Sequence, residues 1–390
     1  MISKRHKRQY HRNIAALATH LIFAKRITAP IMMPFYLSLG LSYTQIGMLS
    51  SITKLTDGSL EIFGGAFSDV YGRKKTSLLY ATMGMLMMLI LAQGHGFIAL
   101  AIASFFHGLA LAIGSGNVSA LLYDTLLALG LENQYKKYRG RIQFPPKVIN
   151  SVLLLIVPII FHYDVRWPFW LGFVLYGFAW LTALLITEPP RKSPNVKGMI
   201  AIVKSTWREL SASRSLRRMI WRQSVVTSLI ALVVEYYQPI FSLAGVPLAA
   251  TGILYAFIRI IGGYGSLTLH RLEKHGDRRV LRWLTGMLTF AFVTIGFGRG
   301  WWLLVIALMV SWLDGAVDVL TGDMLNKQIG SHNRTTIVSA ANAVGGLIMS
   351  MILLLAGWLS DQWGIQVMFS IVAGLSLIGR LFVDNSDQNR

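Results

Sequence analysis

The 390-residue chain has no cysteine, which excludes disulfides and removes any clue to redox compartment. Charge is also scarce: only 14% of residues are Asp, Glu, Lys or Arg, against roughly 25% in a soluble globular domain. Acids are the scarcer sign, 17 against 37 basic residues, for a formal net charge of +20. There is no Walker loop, no metal-ligand cluster and no nucleophile constellation. ATP-driven pumping and hydrolysis therefore have no support, no catalytic residue, metal or cofactor is expected, and the chain does not read as an enzyme.

Apolar residues fill the space that charge leaves, at 54% of the chain with a mean hydropathy of +0.53. They fall in runs of about 20, the length that crosses a hydrocarbon core as a helix. The runs are continuous and not alternating, which rules out a β-barrel. The expected fold is an all-α polytopic membrane protein with twelve transmembrane helices. They are placed near 13–37, 44–68, 77–95, 97–123, 148–163, 167–187, 219–241, 247–269, 280–298, 301–325, 336–358 and 365–383. The basic start resembles a signal peptide, but its apolar stretch is long, contains Lys25 and Arg26 and lacks a cleavage site, so it reads as the first span.

The positive charge follows the same grid. Lys4, Arg5, Lys7, Arg8 and Arg12 precede the first span, and Arg73, Lys74 and Lys75 fill the loop after the second. Alternate loops continue with Lys136 to Lys147, Arg191 to Arg222 and Arg271 to Arg282; only Arg166 and Arg299 fall in the intervening loops. This is the positive-inside pattern, which makes both termini cytoplasmic and the site a cell (inner or plasma) membrane. The charge therefore marks topology, and nucleic acid is not an expected partner.

Glu188-Pro189-Pro190 ends the sixth span, because proline cannot continue a helix. The polar stretch that follows divides the chain into a six-helix half (1–187), a linker (188–218) and a second six-helix half (219–390). In the linker Ile200, Val203, Trp207 and Leu210 recur opposite Lys204 and Arg208, the pattern of a helix lying on the membrane surface. The halves share a faint repeat. Leu39-Gly40-Leu41 with Gly47 matches Ala244-Gly245-Val246 with Gly252 at a shift of 205, which also sets Lys54 on Arg259. Gly72-Arg73-Lys74 then meets Asp277-Arg278-Arg279 as a decayed copy.

The segment from Gly65 to Lys75 must be short, cationic and sharply bent at a membrane edge. Gly65 permits close helix approach and Gly72 a tight turn; Asp69 suits a helix N-terminus; Arg73 and Lys74 need a counter-charge, which Asp124 can supply. The spacing Gly-x-x-x-Asp-x-x-Gly-Arg-Lys resembles the loop between helices two and three of the major facilitator superfamily of secondary transporters. So do Ala120-Leu121-Leu122-Tyr123-Asp124, Tyr237-Gln238-Pro239 and Leu325-Asn326 with Arg334-Thr335-Thr336. The resemblance implies that Asp69 caps the eleventh helix and that Arg73 pairs with Asp124, a gate of Gly65, Asp69, Gly72, Arg73, Lys74 and Asp124 that locks the outward-open state. Two departures stand against a standard drug/proton antiporter. Ser104 takes the place of an arginine four residues before Gly108, and Val148–His162 lacks the glycine pattern of the fifth span.

An ionised group at the bilayer centre costs on the order of 3 kcal/mol, so such groups pair, line water or serve function. Lys25 and Arg26, read as helical, point about 100° apart. Lys54, Asp57 and Glu61 share a face of the second span, Glu235 precedes Tyr236 and Tyr237 in the seventh, Arg259 lies in the eighth, and Asp314 and Asp318 are one turn apart in the tenth. Structural pairs such as Arg26 with Asp57 or Arg259 with Asp314 account for some of them. Lys25, Arg26, Lys54, Tyr236 and Arg259 are the expected substrate-binding residues. Asp57, Glu61, Glu235, Asp314 and Asp318 are the expected proton carriers, with the Asp314/Asp318 pair foremost because like charges compete. His107 reads as a hydrogen-bonded core group.

The expected activity is secondary active transport of a small solute by alternating access in a monomer, coupled to protons or another ion within the lipid bilayer. Export of a small amphipathic compound is the first expectation. An anionic or zwitterionic metabolite as solute, or lipid flipping on the same fold, are the alternatives.

Overall fold

A computed structural model of the chain describes residues 4–190, 213–328 and 334–388. Of the surface helix expected in 188–218, residues 191–212 lie outside the described residues. Among the described residues the regular elements are helices alone. In chain order they are α1 (Lys4–Phe23), α2 (Met32–Ser38), α3 (Tyr43–Tyr71), α4 (Arg73–Gln93), α5 (Gly96–Gly114), α6 (Asn117–Leu129), α7 (Tyr135–Tyr163) and α8 (Trp167–Leu184). The second series is α9 (Arg214–Glu235), α10 (Tyr237–Leu243), α11 (Thr251–Thr268), α12 (Asp277–Phe297), α13 (Trp302–Gln328), α14 (Arg334–Trp363) and α15 (Ile365–Gln388).

Among the described residues eight helices are long and apolar enough to cross a membrane, nine if α9 and α10 count as one span. The other three expected spans depart from that standard for visible reasons. The first is interrupted between Phe23 and Ala29, α3 carries Lys54, Asp57, Glu61 and Asp69, and the apolar part of α15 is Ile365–Ile378.

A proline stands on the downstream side of both breaks. Pro30 has no N–H for the carbonyl of Arg26, four residues earlier, and its ring would clash there. Pro30 thus bars one continuous helix through the first span; α1 has already stopped at Phe23, and α-helix resumes only at α2. Pro239 does the same to the carbonyl of Glu235, where α9 ends and the axis bends by 52° into α10. Reading Lys25 and Arg26 as helical neighbours is therefore corrected: they lie in a non-helical link.

The internal repeat is geometrical. Helices α2 and α10 are each seven residues long, and each leads to a glycine of positive φ, Gly40 at 78° and Gly245 at 81°. Helices α4 and α12 are each 21 residues long and each opens directly after such a glycine, Gly72 at 109° and Gly276 at 79°. The pairing of the two loops is thereby corrected by one residue. Gly72 matches Gly276, and Asp277 stands at the position of Arg73.

The chain forms two compact units. The first comprises Met1–Ala29, Ile52–Ser213 and Thr335–Gly346. Its core joins Leu17 of α1, Leu121, Leu122 and Leu126 of α6, Ile142 of α7 and Ala183 and Ile186 around the end of α8. The second comprises Pro30–Ser51, Arg214–Arg334 and Leu347–Arg390. There Phe292 stacks on Phe369 at 6.1 Å, and Thr289 bonds Ser376 at 2.7 Å. Large apolar side chains such as Ile98, Leu267 and Phe297 are exposed, the arrangement expected of a surface whose solvent is lipid.

Candidate functional site

In the first unit the turn from α3 into α4 is held by polar contacts at every step. Gly72 needs its positive φ, and a Cβ there would also stand 3.1 Å from Glu188 Oε1. The Arg73 guanidinium donates to Asp69 Oδ1 at 2.8 Å, to Ser68 Oγ at 2.7 Å and to Asp124 Oδ2 at 3.4 Å. Asn117 ties the elements together: its Nδ2 donates to Ser77 Oγ at 2.9 Å and to the Arg73 carbonyl at 3.2 Å, while Oδ1 accepts from Ser68 at 2.8 Å. Gly65 lies within α3, but its surroundings are outside the described residues.

The first amides of a helix have no partner within it. Here Glu188 supplies one, each carboxylate oxygen accepting at 2.8 Å from the backbone N–H of Arg73 or Lys74. The Lys74 ammonium goes to the Leu184 carbonyl. Asn13 of α1 secures the same corner by bonding both the N–H and the C=O of Thr187. Sequence reasoning used Glu188 only as part of a helix stop. Its signal was an acid at a membrane edge otherwise rich in basic residues.

Deeper in this unit, Lys54, Asp57 and Glu61 follow one face of α3, and Asp57 feels the charge of both neighbours. Glu61 accepts from Asn342 Nδ2 of α14 at 3.0 Å and bonds the Ser115 side chain. In the broken link Lys25 is exposed and Arg26 half-buried. Arg26 Nη1 lies 3.2 Å from His107 Nδ1 of α5, so its partner there is His107, the expected hydrogen-bonded histidine, in place of Asp57. Next to His107, Gly108 lets α5 lie on α3: a Cβ would come within 2.5 Å of the Thr53 carbonyl oxygen. Thr53 Oγ1 donates to the Ser104 carbonyl at 3.1 Å. Asn342 and His107 carried no sequence signal beyond being polar in apolar runs.

In the second unit Asp314 and Asp318 lie one turn apart on α13, close enough to feel each other. Tyr237 stands beside Asp314 and bonds Ser311. Its ring stacks on Phe241 at 5.8 Å, and Tyr255 meets both edge-on. Tyr236 is only 3% exposed, packed on Tyr43 and Phe369 with its hydroxyl 3.3 Å from Ser360 Oγ; it is a packed core ring. Glu235 ends α9 beside it, and Arg259 is exposed on α11. Asp361 at the end of α14 caps α3, accepting from the backbone N–H groups of Tyr43 and Thr44 at 2.8 Å each and from Thr44 Oγ1 at 2.6 Å. At the base of α12, Asp277 receives Lys327 at 3.0 Å, and Lys327 also pairs with Asp323.

A duplicated set of membrane helices, two broken spans that each hold a proline and a basic glycine turn capped by acids define a recognisable pattern. The profile of the Major Facilitator Superfamily matches residues 15–284. The chain belongs to the Major Facilitator Superfamily. It is accordingly a multi-pass membrane transporter and not an enzyme. Among its relatives is an uncharacterised MFS-type transporter of Bacillus subtilis (strain 168), YxaM, 22% identical, with 91% of this chain and 90% of that protein covered. Among solved structures, a mutant of the nucleoside transporter NupG matches with a TM-score of 0.79 at 15% identity, over 96% of this chain and 98% of that one. A POT family transporter in complex with 5-aminolevulinic acid matches with a TM-score of 0.73 at 12% identity, over 95% of each. At such identities the structures establish the shared superfamily fold.

Proposed function

We propose that this superfamily member is a secondary transporter of a small anionic or zwitterionic solute, coupled to protons, with Arg26 as the charge partner of the solute's anionic group. One observation carries the reading: Arg26 sits in a non-helical break of the first span and is met there by an imidazole that can only accept from it. Discontinuous helices are where transporters of many folds form their substrate sites. A contact to imidazole does not itself neutralise the Arg26 guanidinium, since the partner brings no negative charge. An anion from solution can supply that charge.

The carboxylates are the proton carriers. Glu61, bonded to Asn342, and the mutually close Asp314 and Asp318 can each bind a proton without leaving an unpaired charge in lipid. A structural relative that holds 5-aminolevulinic acid is compatible with such cargo. The turn built on Arg73, Asp69, Asp124 and Glu188 acts as the gate on the cytoplasmic face of a monomer in the cell membrane, a reading supported by the basic loops on the side of both termini.

A second reading, export of a neutral amphipathic compound, is favoured by the aromatic cluster of Tyr237, Phe241 and Tyr255. Reconstituted proteoliposomes separate the two. Under an imposed pH gradient, carboxylates and amino acids should be taken up or released with measurable proton movement, and Arg26→Gln should strongly impair it while leaving a measurable residual rate. Transport of lipophilic cations that Arg26→Gln leaves intact would establish the second reading instead.

A further inference from the structure

Arg26 and His107 come from elements far apart in sequence, the link after α1 and the middle of α5, and meet with Nη1 and Nδ1 3.2 Å apart. A guanidinium has donors only and does not give up its proton in a protein. His107 Nδ1 must therefore be the acceptor, so the ring is neutral and carries its proton on Nε2. Among the described residues Lys54 of α3, with Asp57 beside it, also faces the ring, and Tyr176 of α8 lies within the field of Arg26. The cluster then offers the remaining guanidinium N–H groups and the Nε2–H as donors, with the Lys54 ammonium beside them and shared with Asp57.

We propose that His107 is the positioning residue of the substrate site, holding Arg26 in place without neutralising it, and that the resulting set of donors selects a carboxylate group. This rests on the reading of Arg26 as the solute's charge partner. A carboxylate at position 107 would hold Arg26 equally well but would compete with the solute for its charge. A cation there would expel it. A neutral acceptor does neither, and imidazole is one that also turns a donor toward a ligand. The backbone of α5 is pinned at this point by Gly108 against Thr53, so the imidazole starts from a fixed base. Arg26, by contrast, sits on non-helical chain and needs an external restraint to be oriented.

The test uses the full chain in proteoliposomes with radiolabelled monocarboxylates and amino acids as probes, and four variants: Arg26→Gln, His107→Asn, His107→Leu and the double Arg26→Gln/His107→Leu. Asn places its Oδ1 near the position of Nδ1 and keeps the acceptor; Leu removes it. His107→Leu should raise KM for carboxylates by about tenfold with kcat little changed, the size expected for losing a hydrogen bond to a charged group. His107→Asn should remain within about threefold of wild type, and the double variant should be no worse than Arg26→Gln alone, since both substitutions remove one interaction. If Leu unfolds the protein in detergent, His107→Gln replaces it, because its longer side chain carries the acceptor away from Nδ1.

Wild type that moves no carboxylate, or Arg26→Gln that moves carboxylates normally, overturns the underlying reading and this one with it. An impaired Arg26→Gln beside an unaffected His107→Leu, or losses that add in the double variant, overturns the positioning role alone.

Discussion

Arg73 and Asp277 occupy equivalent positions with opposite charge. Each is the first residue of a 21-residue helix after a glycine of positive φ, and each pairs with a residue of the opposite sign near the end of the following long span, Arg73 with Asp124 and Asp277 with Lys327. The duplication preserved the place of the ion pair and reversed its polarity. Reversing one member of either pair should lower the melting temperature of the purified protein in detergent, and reversing both should recover it. The Arg73 pair should matter more, because its guanidinium is 17% exposed and Lys327 is 59% exposed.

The Lys327 pair also has a pH signature. Its ammonium is pushed up to about 12 by the hydrogen bonds it donates to Asp323 and Asp277, from an ordinary 10.5. A raised folded-state value means the contribution is fully present below about 10.5 and disappears as pH rises through about 12. The difference in melting temperature between wild type and Lys327→Met should therefore hold steady up to the ordinary lysine value and vanish above the raised one. High salt should shrink it throughout.

Glu188 should behave as a helix cap. Glu188→Ala leaves the amides of Arg73 and Lys74 without their carboxylate, at a cost of about 1–2 kcal/mol in a thermal or denaturant melt. Gly72→Ala places an L-residue at φ +109° and a methyl against Glu188, costing about 1–3 kcal/mol. An unchanged melt for both would mean that the turn is not held as described.

Gly108 and Ser104 give a paired control. Gly108→Ala drives a methyl into the Thr53 carbonyl oxygen, backbone against backbone, so α5 and α3 must part and transport should be lost. Ser104→Ala keeps the carbonyl that Thr53 uses and should leave packing and transport near wild type. Equal damage from both would show that the serine hydroxyl, and not helix approach, matters here.

Because the chain has no cysteine, single cysteines report topology without background. Cysteines replacing Lys75 and Lys137 should resist a membrane-impermeant maleimide in intact cells, while one replacing Ser42 should react. The reverse pattern would overturn the assignment of both termini to the cytoplasm.

Much of this was legible in the sequence for one physical reason. Lipid forces backbone polar groups into helices and cations to one side, so apolar length and basic residues report the spans directly. Pro30 and Pro239 were equally legible as helix breakers, and reading through the first of them made Lys25 and Arg26 look helical. The partners of the charges were not legible. His107, Glu188, Asn342 and Asp361 lie 81, 114, 281 and 317 residues or more from the groups they bond, and nothing in spacing or composition joins them. The sequence by itself determined a duplicated, membrane-spanning helical chain with a basic glycine turn. Only the tertiary structure decided that Arg26 meets an imidazole, that Glu188 caps the turn, and that the second copy of the Arg73 pair runs with its charges exchanged. A hydrogen bond needs its two atoms about 3 Å apart, and it is packing that brings distant residues to that distance.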